Sequence, residues 1–105
     1  MDIKRIQSPL KQFIRNLPRS INVDRVIVFG SYLEGTAEPD SDIDVIVVSE
    51  NFKQMDEDQR LDLLYFAKRY VDPEIHPWGF TNDELQAASP LTTLGHARDH
   101  GWRFV

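Results

Sequence analysis

The sequence predicts an α/β (α+β) domain with helices packed on a small β-sheet. Three observations carry that expectation. Two runs rich in β-branched residues, VDRVIVF at 23–29 and DIDVIVV at 42–48, read as buried strands. Stretches with apolar residues at helical spacing flank them. Pro and Gly punctuate the joints between these segments. A chain of 105 residues fits one domain with one modest core, here taken as residues 1–105.

The elements follow in order. Ser8-Pro9 reads as a helix start, with Ser as cap and Pro at the first helical position, and Leu10, Phe13, Ile14 and Leu17 follow at helical spacing. Pro18 ends that helix. Val23 to Phe29 is a strand closed by Gly30, after which a helical turn is expected. Asp42 to Val48 starts polar and becomes continuously apolar, as a strand wet at one end and buried at the other. Asp56 to Tyr70 is a helix with acids in its first turn and Lys68-Arg69 in its last, matching the helix dipole. Leu61, Leu63, Leu64, Phe66 and Ala67 surround much of its circumference, so it is expected to pack on a sheet. Glu74 to Thr81 (EIHPWGFT) is a third strand, at an edge or with a bulge because of Pro77 and Gly79. Asn82 or Thr81 caps a short helix through Ala88, and Pro90 opens a helical tail, LTTLGHARDHGWRF.

Composition narrows the function. Hydrophobic residues at 41% and charged residues at 28% are ordinary for a globular chain. No apolar run is long enough to cross a bilayer, and MDIKRIQSPL lacks the apolar core of a secretory signal, so a cytoplasmic address and no membrane partner are expected. With no cysteine, disulfides and thiolate metal sites are excluded. A net charge of −5 argues against nucleic acid as the main partner. Yet the charge is uneven. Residues 1–25 hold Lys4, Arg5, Lys11, Arg15, Arg19 and Arg25 against Asp2 and Asp24, whereas Glu34, Glu38, Asp40, Asp42, Asp44 and Glu50 follow with no Lys or Arg between Val26 and Phe52.

That acidic stretch carries the chemistry. On a strand, Asp42 and Asp44 point the same way while Ile43 enters the core, so the two carboxylates can share one ion. Oxygen ligands of this kind suit Mg²⁺ or Mn²⁺, which bridge carboxylates to phosphates. Gly30 lets the backbone approach a phosphate, and Ser31 adds a hydroxyl donor. Taken singly, a Gly-Ser pair is usually a turn and a D-x-D a solvated strand end. Strand, Gly-Ser, about ten residues, then D-x-D opening an apolar strand is a rarer joint pattern.

The stretch GSYLEGTAEPDSDIDVIVV resembles the signature of the DNA polymerase β-like nucleotidyltransferases, most closely the minimal nucleotidyltransferases of bacteria and archaea. The resemblance implies a nucleotidyltransferase fold, a mixed sheet with helices packed on it. It implies transfer of a nucleoside monophosphate, AMP first among them, from a nucleoside triphosphate such as ATP to a hydroxyl. Gly30 and Ser31 would bind the triphosphate, and Asp42 and Asp44 would hold divalent ions. It also implies a possible partner, an all-helical HEPN-domain protein, to which such chains act as antitoxin. The family's third carboxylate falls in DPEIHPWGFT, where His76 stands at the matching position and Glu74 two residues before it. Either Glu74 supplies the acid in a shifted register, or His76 serves as ligand or base, or the function is missing. The last case gives the alternative reading, a nucleotide-binding or masking module that acts by binding a helical partner.

Other candidates are weaker. His96 and His100 are four apart with Asp99 adjacent, a metal-capable spacing, but the Glu of H-E-x-x-H is absent and Gly95 and Gly101 weaken a helix there. Trp78, Phe80 and Trp102 can stack on a nucleobase, although such aromatics more often serve a core or an interface.

Overall fold

The computed structural model describes residues 3–38 and 41–105. Asp2 of the N-terminal segment and Asp40 of the acidic stretch lie outside them. Among the described residues the helices are α1 (Ile3–Asn16), α2 (Ser31–Glu34), α3 (Glu57–Lys68), α4 (Asn82–Ala87) and α5 (Thr93–His100). The strands are β1 (Arg25–Phe29), β2 (Ile43–Val48), β3 (Ile75–Phe80) and β4 (Trp102–Arg103). They form a mixed sheet in the order β3-β2-β1-β4, with β2 and β3 parallel and the other pairs antiparallel. The predicted fold class, helices on a small mixed sheet, is the one observed.

One face of the sheet is covered by α1 and α3. Ile6, Leu10, Phe13 and Leu17 form the buried stripe of α1, and Leu64 and Ala67 that of α3, over Val26, Val28, Ile43, Val45, Val47 and Ile75. The Asn16 side-chain amide donates to the Ala67 carbonyl at 3.0 Å and ties the two helices together. The other face carries α4 and α5 over Ile27, Ile46 and Val48, with Leu85 and Ala97 buried between. Arg98 of α5 donates to the carbonyls of Leu85, Gln86 and Ala88, satisfying the C-terminal end of α4.

Several expectations change. The first helix begins before Ser8, so Pro9 sits inside it. Ile6 adds a turn to the apolar stripe, and its burial outweighs the hydrogen bond that proline removes. β1 starts at Arg25 rather than Val23, and β2 at Ile43 rather than Asp42. α3 stops at Lys68, because Tyr70 adopts a left-handed φ of 63° that no helix accommodates. Phe66 does not pack on the sheet. It is 63% exposed, with the Arg69 guanidinium 3.8 Å from its ring centre. The helical tail ends at His100, and Trp102–Arg103 instead pairs with β1 as an edge strand.

β3 is the opposite edge, in unbroken register with β2 and without a bulge. The carbonyls of Glu74 and Phe80 accept from the Ile43 and Ser49 N–H groups. By alternation the nitrogen of Pro77 faces away from β2, where its missing proton costs the ladder nothing. On that outer side Arg60 donates to the Gly79 carbonyl at 3.2 Å. Both α3 and α4 start with a full capping box, Asp56 with Gln59 and Thr81 with Glu84.

Candidate functional site

The C-terminal end of β1 and the N-terminal ends of β2 and β3 lie side by side at one end of the sheet. Phe29 pairs with Asp44, and Asp44 with His76. Cross-strand partners share a face, so this row points to the α4–α5 side, beyond the reach of those helices. Asp44 and His76 remain partly accessible there, with side chains 27% and 42% exposed.

Asp44 is the centre of the cluster. Its Oδ1 lies 3.1 Å from Nδ1 of His76. Its Oδ2 lies on the side of Gly30, so close that a Cβ on Gly30 would collide with the carboxylate. Gly30 also has φ 76°, a conformation an L side chain resists. The glycine is thus required twice, by its backbone and by its neighbour. Burial pushes the Asp44 carboxyl above its ordinary range, and the charge of Asp42 adds to the rise, while the hydrogen bond and charge of His76 pull it down.

Asp42 is exposed and sits one residue before β2, not on it. Its carboxylate is still near enough to act on Asp44. Ser31 is the first residue of α2, half-buried, and its carbonyl accepts from the Thr36 N–H at 3.0 Å. Among the described residues its hydroxyl makes no hydrogen bond. Gly35 in the left-handed conformation ends α2 after one turn.

Glu74 goes elsewhere. It precedes β3, and its carboxylate meets Lys68 of α3 at 2.6 Å. The Lys68 ammonium holds the Glu74 carboxyl below its usual range. The structure therefore brings Gly30, Asp42, Asp44 and His76 together and turns Glu74 toward α3. Lys68 was not singled out from the sequence. Its place in the last turn of a helix gave only a dipole argument, and its partner is six residues away across an irregular loop.

The remaining candidates separate. His96 and His100 stack at 4.6 Å between ring centres, exposed, while Asp99 is engaged by Arg98 at 2.8 Å. Trp102 packs edge-on to Phe104 beside the core, whereas Trp78 lies 5.1 Å from His76 on the side of the site. Among the described residues, no group of three or more His, Asp or Glu converges closely enough to enclose an ion unaided.

This chain belongs to the nucleotidyltransferase domain family, whose model matches residues 10–91. A solved protein from Sulfolobus solfataricus, assigned by inference as a nucleotidyltransferase, shares the fold with a TM-score of 0.66 at 20% identity, over 96% of this chain and 80% of that one. A second similar structure, described as a toxin–antitoxin with AMP-PNP, aligns with a TM-score of 0.59 at 21% identity, over 92% of this chain and 70% of that one. No curated protein matches the sequence. Among the described residues, no helix is long and apolar enough to cross a membrane.

Proposed function

We propose that residues 1–105 act as one domain that transfers AMP from ATP to a hydroxyl acceptor on a helical partner protein in the cytoplasm. The observation that carries this reading is the meeting of Gly30, Asp44 and His76 across three adjacent strands, with Asp42 beside them. The donor set fits a hard divalent ion. Asp42 and Asp44 would hold Mg²⁺ or Mn²⁺ by oxygen, and the remaining positions would fall to phosphate and water. Such an ion neutralises charge on the transferring phosphoryl group.

The chain's own groups do the rest. The Gly30 backbone and the Ser31 hydroxyl would hold the β- and γ-phosphates. The acceptor oxygen attacks the α-phosphorus, the bond to pyrophosphate breaks, and the hydroxyl proton must leave. With Nδ1–H donated to Asp44, the other ring nitrogen of His76 is left as an acceptor for that proton. His76 then fills the role of the missing third carboxylate. A toxin–antitoxin structure among the similar folds supports a protein partner, and in this reading that partner is an all-helical HEPN-domain protein.

A masking module is the second reading, favoured by one observation: Glu74 is engaged by Lys68 and the third position holds no acid. Titration of ATP with Mg²⁺, with Mn²⁺ and with EDTA tests the site. Binding is expected to need both the ion and the carboxylates, vanishing in D42N and D44N, and metal-dependent binding that survives in both variants refutes the assignment. Label carried on the α-phosphate of ATP, and not on the γ-phosphate, should become attached to the partner. Binding without such transfer establishes the masking module.

A further inference from the structure

Beside the Asp44–His76 pair, on the same face of the sheet, lies a recess of about 360 Å³. Phe29, Ile46, Trp78 and Phe80 line it from the sheet, and Thr93 and Leu94 from the first turn of α5. Strand alternation explains its position. Asp44 and Ile46 are neighbours on one face of β2, as are His76, Trp78 and Phe80 on β3. The recess is thus one strand repeat, about 7 Å, beyond the reacting groups. Trp78 is shared between the two: it lines the recess and its ring lies 5.1 Å from that of His76, tilted by 50°.

The chemistry of its lining selects the occupant. It contains no charged side chain, so neither a phosphate nor an ion belongs there. Its walls are aromatic and aliphatic, and Trp78 keeps 37% of its surface open. An apolar cavity of about 150 Å³ already admits benzene. One more than twice that size has room for the fused rings of a purine. The only apolar, planar part of a nucleoside triphosphate is its base.

Resting on the nucleotidyltransferase reading above, we propose that this recess holds the nucleobase of the bound triphosphate, stacked on Trp78. The pentose then spans the distance between the recess and Asp44. The triphosphate runs back across the sheet toward Gly30 and Ser31. Trp78 is on this account a specificity-determining residue: it holds the base by stacking and packs against the His76 ring that faces the α-phosphate.

The test compares two ligands that differ only in the nucleoside, Mg²⁺-ATP and Mg²⁺-tripolyphosphate, by calorimetric titration. Base–aromatic stacking corresponds to a loss of about tenfold or more on truncation. Trp78→Ala should therefore raise the Kd for Mg²⁺-ATP by about tenfold and leave that for Mg²⁺-tripolyphosphate unchanged. Trp78→Phe, which keeps a ring, should restore most of the affinity. Thr93→Trp obstructs the recess from an exposed position on a different element and should reproduce the Trp78→Ala result even if β3 is disturbed by that variant. Equal affinity of the parent protein for both ligands, or variants that weaken both alike, would overturn the base site while leaving the phosphate and metal site intact. No binding of either ligand to the parent overturns the nucleotidyltransferase reading itself, and the base site with it.

Discussion

The two faces of the sheet are built from the same strands and do opposite things. On the α1–α3 face, Ile43, Val45 and Val47 are all fully buried, packed with Val26, Val28 and Ile75. On the α4–α5 face, Ile46 and Val48 are as well buried, yet Asp44, two residues earlier, is left partly open beside His76. The helices on the second face are short, and they cover one end of the sheet only. The first face is therefore all scaffold, whereas the second is scaffold at one end and site at the other. Strand alternation lets one residue step separate the two roles.

The largest effect expected from breaking this division is on the scaffold face. Phe13→Ala removes a fully buried ring and should cost about 3–5 kcal/mol, read as a lower urea midpoint. In a domain of this size that is a large part of the total stability. Nucleotide binding should fall only as the folded fraction falls. Gly30→Ala attacks the junction of scaffold and site. The added Cβ strains a positive φ and collides with the Asp44 carboxylate, for about 2 kcal/mol of stability and complete loss of Mg²⁺-ATP binding. Retained binding in a folded Gly30→Ala protein would show that the carboxylate can move away and that the site is looser than its geometry.

Smaller effects sharpen the comparison. Tyr32→Phe removes a buried hydroxyl that has no hydrogen-bond partner among the described residues and should stabilise by about 1 kcal/mol with binding unchanged. Asp44→Asn should have the reverse profile to Phe13→Ala, with binding lost and stability kept. The sign follows from its raised pKa. A carboxyl that binds its proton more tightly when folded stabilises the fold below its unfolded pKa, and that contribution disappears as pH rises through the folded value. At neutral pH the ionised group is therefore a burden, and the amide should be within about 0.5 kcal/mol of the parent, on the stable side. The difference between the two proteins in urea should shrink on acidification. Glu74→Gln is the smallest change, below about 1 kcal/mol for an exposed ion pair, with transfer activity retained. His76→Gln should abolish transfer. Loss of activity in Glu74→Gln instead would give Glu74 the role of third acid and require it to leave Lys68.

How far the sequence revealed all this depended on the range of the interaction. Asp42, Asp44, Gly30 and Ser31 could be singled out because sixteen consecutive residues, Gly30 to Val45, hold them, although alternation applies to Asp44 alone, since Asp42 precedes β2. The strands β1 and β2 were legible from their β-branched runs. What failed was decided at long range. Pro9 read as a boundary because local propensity ends a helix there, and only burial of Ile6 shows why the helix continues backward. Trp102 read as helical because GWRFV has no strand pattern, and its strand exists only by pairing with Val28. That Glu74 is turned away from Asp44 depends on Lys68, which no periodicity connects to it.

The outer edge of β3 has one further consequence. A bare sheet edge is a template on which a second molecule can lay down its own strand. Here the proline ring of Pro77 and the guanidinium of Arg60 stand on that edge, one removing a donor and the other occupying an acceptor. Two copies meeting at this side find the edge ladder interrupted at Pro77 and Gly79. Contacts made along this edge with another protein are thereby favoured through side chains over a continuous strand pairing, the arrangement that seeds fibrils.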